Sequence, residues 1–505
     1  MRGKHCQPGH RATVGAGAES RRSKALGLLL GLTVAVAGCA HQPYPESGSP
    51  TAVSIPTHWS EAADQPDAPA TSLAGWWQRL GDARLSALVD EALRASPTVQ
   101  SAIAALRQSR ALVDVATAGL VPSVGASASA QHSYSKAQGG SNSFGLGVDA
   151  SWEPDLFGGT RSGVDAAQAD ARAARMALAN VQVSLAAEVA LAYIDLRNAE
   201  ARLAIAQGNL ASQEDTLQIA RWRNQAGLVS SLDVEQAAAL ADQTRAQVPL
   251  LQSTLAQARH RLAVLTGRTP GDLADLGTAP VPLPPDDLVL AFPADTLRQR
   301  PDVRQAEAQA QAAAARVAQA DAARYPSLKL SGTLGLQALT LGSLTSGSSV
   351  VGSLLAGLSV PIFDGGAIAG QVRAQQAALD QARASYRSSV LTALQDVEDA
   401  LVALQGDRRR VDSLQSAAAA AARADTLARQ QYQAGLIDFR TVLETQRTLL
   451  SAQDSAAGVR ASLAADHVAL YKALGGGWTP EPPTAEAQSA TPSDTVSPSP
   501  AQTAR

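Results

Sequence analysis

The same order of segments is written twice in this chain. Pro97 and Pro301, like Pro122 and Pro326, sit 204 residues apart; Gly158-Gly159 and Gly365-Gly366 sit 207 apart; Ala226-Gly227-Leu228 and Ala434-Gly435-Leu436 sit 208 apart. The register drifts by four residues over more than a hundred, which chance in an alanine-rich chain does not produce. A period this long exceeds any solenoid repeat, so each copy must hold several elements in a fixed order.

Each copy mixes two periodicities. Over residues 123–131, Val124, Ala126, Ala128 and Ala130 alternate with Ser123, Gly125, Ser127, Ser129 and Gln131. This is a strand pattern. After the polar loop 133–142 it resumes, with Phe144, Leu146, Val148, Ala150 and Trp152 opposing Ser143, Gly145, Gly147, Asp149 and Ser151. In the second copy Leu328, Leu330, Leu334 and Leu336 oppose Ser327, Lys329, Ser331 and Thr333, and Leu354, Ala356, Leu358, Val360 and Ile362 oppose Ser353, Gly357 and Ser359. The expected strands, 123–132, 143–152, 327–337 and 352–363, have the roughly ten residues a tilted strand needs to cross a bilayer. Four strands cannot form a closed wall, and an open edge in lipid costs several kcal/mol per unpaired backbone group. Closure therefore requires further copies of the chain. The competing reading is two hairpins on a soluble core, for which no partner sheet is visible.

Nearly all else reads as helix. Residues 159–226 and 367–434 are rich in Ala, Leu, Gln, Arg and Glu and lack internal proline; at about 1.5 Å per residue each would reach roughly 100 Å. Shorter helices are expected over 96–120 and 300–325 before the hairpins, and over 230–267 and 438–475 after the tips. Two short helices stacked beside each long one satisfy these lengths. Their surfaces carry Ala and Gln more than large apolar residues, which suits close lateral packing around a wet interior. A solid coiled-coil rod would pack similarly but has no use for membrane strands.

Residues 1–38 read as a lipoprotein signal peptide: Arg21, Arg22 and Lys24 precede the apolar run 25–37, which closes as Val36-Ala37-Gly38-Cys39. That ending resembles the bacterial lipobox, which implies lipidation of Cys39 and, with Ala40 following, sorting to the outer membrane. The leader holds six Lys/Arg and one Asp/Glu, so 36 of 42 basic and 44 of 45 acidic side chains remain, a net charge of about −8. This mild acidity argues against a nucleic-acid partner. Residues 39–75 are expected to form a lipidated tether, 76–269 the first repeat, 270–299 an equatorial linker, 300–478 the second repeat and 479–505 a disordered tail.

The chain offers little chemistry. Its seven histidines (5, 10, 41, 58, 132, 260 and 467) are scattered without metal-ligand spacing, and no phosphate-cradling loop or nucleophile elbow occurs. No catalytic residues, metal or cofactor beyond the lipid on Cys39 are expected.

Four motifs carry a resemblance over residues 76–478: Trp76-Trp77-Gln78-Arg79-Leu80-Gly81-Asp82 leading to Leu85, Leu88 and Leu93; Arg300-Pro301-Asp302-Val303 with Ala306-Glu307; Pro361-Ile362-Phe363-Asp364-Gly365-Gly366; and Leu470-Tyr471-Lys472-Ala473-Leu474-Gly475-Gly476-Gly477-Trp478. The chain resembles an outer-membrane efflux factor of the TolC type, in the lipoprotein branch that serves resistance-nodulation-division pumps. The resemblance implies a mostly α fold with membrane β: a homotrimer in which duplicated helical hairpins form an α-barrel tunnel, four strands per chain contribute to a twelve-stranded outer-membrane β-barrel, and a mixed belt lies at the equator. It implies a passive conduit for small molecules, partnered by a periplasmic adaptor and an inner-membrane pump. The exit duct of a type I protein secretion system is the alternative; a trimeric coiled-coil adhesin would need only one hairpin set.

The resemblance also places adaptor docking at two tips, Ala226, Gly227, Leu228, Val229 and Ser230, and Ala434, Gly435, Leu436, Ile437 and Asp438. In the family the closed mouth is tied by polar links, and Asp233 falls where a tie carboxylate often stands; its usual arginine partner is here Ile437. Arg440, one turn on, is the candidate replacement and could reach Asp233 or Asp438. Of two acidic ring positions, this chain has Thr441 and Glu444, leaving one possible ring of three carboxylates, which would favour cations.

Overall fold

The computed structural model describes residues 73–137, 139–273, 276–284 and 294–479, with side chains from 297 onward in the last segment. The expected signal peptide, Cys39, most of the tether and the tail lie outside the described residues.

After a 3-10 turn at Trp76–Leu80 the elements are α1 (Ala83–Ala95), α2 (Pro97–Ala118), β1 (Ser123–Ser135), β2 (Gly139–Trp152), α3 (Gly159–Gln225) and α4 (Ser231–Leu265). A 3-10 turn at Ala294–Gln299 leads into α5 (Pro301–Ala322), β3 (Ser327–Ala338), β4 (Val350–Ser359), α6 (Ala367–Gln433) and α7 (Phe439–Ala473). The copies match in length: α2 and α5 have 22 residues, α3 and α6 have 67, α4 and α7 have 35. Pro97 and Pro301 occupy the first helical turn, where the missing N–H costs nothing. Helix α4 continues through Pro249, whereas Ala457 holds the matching place in α7. Proline there removes one backbone hydrogen bond, and flanking turns keep the helix going.

The strands form one antiparallel sheet in the order β1-β2-β3-β4. β1 and β2 are longer than the alternation suggested. Polar residues on both sides of the expected loop pair on, Ser133 with Ser141 and Ser135 with Gly139, so the connecting turn is short. β4 stops at Ser359, before Pro361, whose nitrogen cannot donate to a ladder.

Helix neighbours change along the wall. In the half next to the sheet the order is α2, α3, α5, α6; in the other half it is α4, α3, α7, α6. β1, α2 and α4 thus share one lateral edge of the protomer, and β4 and α6 share the other.

The large apolar core sits between these halves. Trp76, Leu85, Val89, Tyr193, Leu196, Leu262, Val468 and Tyr471 form one buried cluster, which Leu273 and Val281 of the linker join. A second contains Leu297, Val303, Val397, Leu404 and Leu470. Three of the sequence motifs converge here. Trp76 stacks on Tyr471 at 5.2 Å, and the Gly477 amide donates to the Leu73 carbonyl at 3.0 Å. Arg300 is buried and donates to the Ala473 carbonyl (2.8 Å), to Asp302 (2.7 and 3.0 Å) and to Asp396 (3.0 Å), joining the start of α5 to α6 and α7.

Candidate functional site: the channel wall and its tips

The sheet separates polar from apolar. Strand register puts Val124 opposite Ala150, Ala126 opposite Val148 and Ala128 opposite Leu146. Leu146 then faces Leu336 and Val148 faces Leu334, while Leu328 faces Leu358. All these even-numbered residues share one face. The odd-numbered face carries Ser123 beside Ser151, Ser127 bonded to Asp149 (2.8 Å) and Thr333 beside Ser353 (2.8 Å). The apolar row from Phe144 to Trp152 spans nine residues, the length at which a tilted strand crosses a bilayer. Aromatic groups mark its periplasmic end: Trp152 Nε1 donates to the Leu120 carbonyl (3.0 Å), and Phe157 stacks on Tyr325 at 5.1 Å. At the other end the outward face turns polar, where His132 Nδ1 meets Asn142 Oδ1 at 2.7 Å. Among the described residues the β1 and β4 edges have no partner strand.

At the far end each long helix turns sharply into its return helix. Gly227 (φ 71°) and Gly435 (φ 76°) take the left-handed conformation that lets the chain reverse. The Leu228 amide donates back to the Arg223 carbonyl (2.8 Å) and Leu436 repeats this to Gln431 (2.9 Å). Asn224 Nδ2 further holds the Val229 carbonyl at 2.9 Å. Leu228 and Leu436 project into solvent, as do Trp222 and Leu232. Each tip is therefore a rigid turn presenting apolar side chains.

The gate candidates take these places. Asp233 closes a capping box: its Oδ2 accepts from the Ser230 amide (3.1 Å) and hydroxyl (2.9 Å), and its own amide donates to Ser230 Oγ (3.2 Å). Within the protomer it forms no ion pair with Arg440, which is exposed. Asp438 caps α7 by accepting from the Thr441 amide (2.9 Å) and hydroxyl, and these bonds hold its carboxyl below the usual range, with a smaller contribution from Arg440. Glu444 is exposed and pairs with Arg447 of its own helix at 3.8 Å.

Other residues join the two hairpins, and sequence reading did not single them out. Arg223, at the end of α3, lies 4.5 Å over the ring of Tyr432 near the end of α6. Between α3 and α7, Arg202 binds Asp454 through two bonds (2.6 and 2.9 Å), Asn209 Nδ2 donates to Gln453 (2.7 Å) and Gln446 Nε2 donates to Thr216 (2.9 Å). A Gln or Asn in an Ala/Gln-rich helix carries no signal that distinguishes it from its neighbours. At the equator Tyr193 donates to Asp82 (2.7 Å) and receives from the buried Arg197 (2.8 Å); burial pushes its hydroxyl up to about 12. Among the described residues no cluster of His, Cys, Asp or Glu could hold a metal ion.

A membrane sheet with two open edges, on helices of 67 residues that run to paired tips, defines an outer-membrane channel that several copies of the chain must close. The sequence pattern of the outer membrane efflux proteins matches residues 88–268 and 292–476. The chain belongs to that family. It is 32% identical over 465 residues to the pyoverdine export outer membrane protein OpmQ of Pseudomonas aeruginosa, covering 89% of this chain and 96% of that protein. Over 339 residues, 66% of this chain and 69% of the relative, it is 34% identical to the toluene efflux pump outer membrane protein TtgF of Pseudomonas putida. The solved outer-membrane channel OprN superposes with a TM-score of 0.79 at 34% identity, over 85% of this chain and 99% of that one. The protein is therefore an efflux duct of the outer membrane: three chains close a twelve-stranded barrel, and their helices form the tunnel that extends into the periplasm.

Proposed function

We propose that this duct serves small molecules, receives them from an inner-membrane resistance-nodulation-division pump, and is opened by a periplasmic adaptor that docks on the tips. The observation that carries the docking reading is the pair of tips, each a glycine-pinned turn with a solvent-facing leucine, Leu228 or Leu436, at its apex. A preformed turn gives a helical adaptor a surface that needs no reordering on binding, which lowers the cost of association. The names of OpmQ and TtgF, a pyoverdine export protein and a toluene efflux pump protein, favour small molecules over the secreted proteins of a type I system. The duct performs no chemistry in this reading. Energy comes from the pump, and opening comes from an adaptor that binds the dilated tips more tightly than the closed ones. Cys39 carries the lipid that anchors the N-terminus.

Glu444 supplies the acidic ring. Within one protomer the Asp233 carboxylate caps α4, and we assign any closed-state partner of Arg440 to a neighbouring protomer. The test is dye accumulation in cells carrying the matched adaptor and pump. Substituting Leu228 and Leu436 together by Asp should raise accumulation to the level of cells lacking the channel while the trimer remains in the outer membrane. Unchanged export would remove the tips as the docking surface.

A further inference from the structure

Two helices that hold matching places in the duplication differ in what covers them. α5 (Pro301–Ala322) buries Ala308, Ala310, Ala312, Ala313 and Val317 between α3 and α6, whereas α2 (Pro97–Ala118) buries Val99 and Leu106 and packs against α3. On α2, Leu112 and Val115 stay 55% and 68% exposed. Closing the ring sets this open face against α6 of the next protomer, since α2 and α6 hold opposite lateral edges. The seam of α5 with α3 inside a protomer is therefore the pseudo-equivalent of the seam of α2 with α6 of the next protomer. The offsets are 204 residues from α2 to α5 and 208 from α3 to α6.

Inside the protomer this seam is held by Arg172, which donates to Gln311 (3.2 Å), and by Arg316, which pairs with Asp170. Carried across by the two offsets, Gln311 becomes Arg107 and Arg172 becomes Asp380, so a cation comes to face an anion. α2 runs towards the sheet and α6 away from it, so the two are antiparallel. Seven residues on along α2 and seven back along α6, two turns of each helix, stand Asp114 and Arg373. This second pair is complementary too, with the signs exchanged. Its counterparts inside the protomer are Ala318 and Asp165, which cannot pair. Between the two charged pairs, the Arg316–Asp170 link becomes Leu112 opposite Ala378, which gives the exposed leucine an apolar cover. All four charged residues are exposed in the protomer. Asp380 makes one long contact with Arg383 of its own helix (3.7 Å), and among the described residues Arg107, Asp114 and Arg373 form no ion pair.

Charges facing each other across packed helices choose a partner as well as attract one, because a helix with other signs at those places meets like charge or none. The exchange of sign along each helix also controls register. A slip of seven residues one way would set Arg107 against Arg373, and the other way Asp114 against Asp380. We propose that Arg107 with Asp380, and Asp114 with Arg373, form two ion pairs between α2 of one protomer and α6 of the next, and that these pairs make the seam select a second copy of this chain in the correct register.

The test uses two full-length, lipidated copies of the chain, differently tagged and expressed together. One copy carries the exchanged charges Arg107→Asp, Asp114→Arg, Arg373→Asp and Asp380→Arg, which leave its net charge unchanged. Exchanged copies should form trimers among themselves in the parent's yield, and two parent copies should mix freely. Parent and exchanged copies should co-purify about tenfold less, since every mixed trimer contains two seams that set like charges together. Asp380→Arg alone should lower the yield of trimer, and adding Arg107→Asp should restore it. Free mixing of parent with exchanged copies, or no rescue by Arg107→Asp, would overturn the proposal. A parent preparation that is not trimeric would overturn the ring beneath it as well.

Discussion

Arg300 joins three segments that are distant in sequence, and its burial makes that junction sensitive to loss. Its guanidinium satisfies the Ala473 carbonyl together with Asp302 and Asp396. Removing one partner from a buried ionic network leaves the others uncompensated, so Arg300→Ala should cost about 3–5 kcal/mol. The loss would appear as a lower denaturation midpoint followed by the fluorescence of Trp76 and Trp77. Asp466 carries a pH dependence at the same level. It lines a cleft of about 400 Å³ with Arg300, Asp302, Asp396, Asp399 and Lys472. Burial, then the neighbouring Asp407 carboxylate, push its own carboxyl up to about 6, with Arg410 opposing. The folded protein therefore binds this proton more readily than the unfolded chain, where the carboxyl titrates at 3.8. The resulting stability is fully present below that value and is lost as pH rises through about 6. Asp466→Asn should flatten the melting temperature of the trimer between pH 4 and 7; an unchanged slope would assign the titration to another group.

The strands and tips make their own predictions at the level of elements. The even-numbered face of the sheet meets lipid and the odd-numbered face meets the lumen. Val148→Lys should therefore cost about 2–4 kcal/mol and reduce the folded barrel recovered from membranes, as charge on a lipid face does. Ser127→Lys, on the other face, should leave recovery unchanged while altering ion selectivity. Equal effects would contradict the assignment of faces. At the tips, Gly227→Val forces a β-branched residue into a left-handed conformation at a cost of about 1–2 kcal/mol. Cells carrying it should retain trimer but accumulate more dye.

At the scale of the whole molecule, much of the architecture was legible because period 2, helix length and internal duplication each constrain the fold independently of side-chain detail. The four strands, the long helices and the glycine turns at 227 and 435 could be read this way. The polar links could not. Asp233 stands three residues after Ser230, a spacing that already spells the capping box seen at the start of α4. Asn209, Gln446 and Tyr432 join the two hairpins through Gln453, Thr216 and Arg223, each more than two hundred positions away, which periodicity cannot pair. The extended ends of β1 and β2 were missed because their Ser and Gly residues look like loop, yet above a membrane band they can pair with no apolar face to bury.

The central claim is that one chain supplies a third of a closed channel. The most direct measurement is the mass of the detergent-extracted protein together with its conductance in the same preparation. A particle of three chains that forms discrete, cation-favouring channels in planar bilayers is the predicted result. A stable, non-conducting monomer would contradict it, because the open β1 and β4 edges could not then survive in lipid.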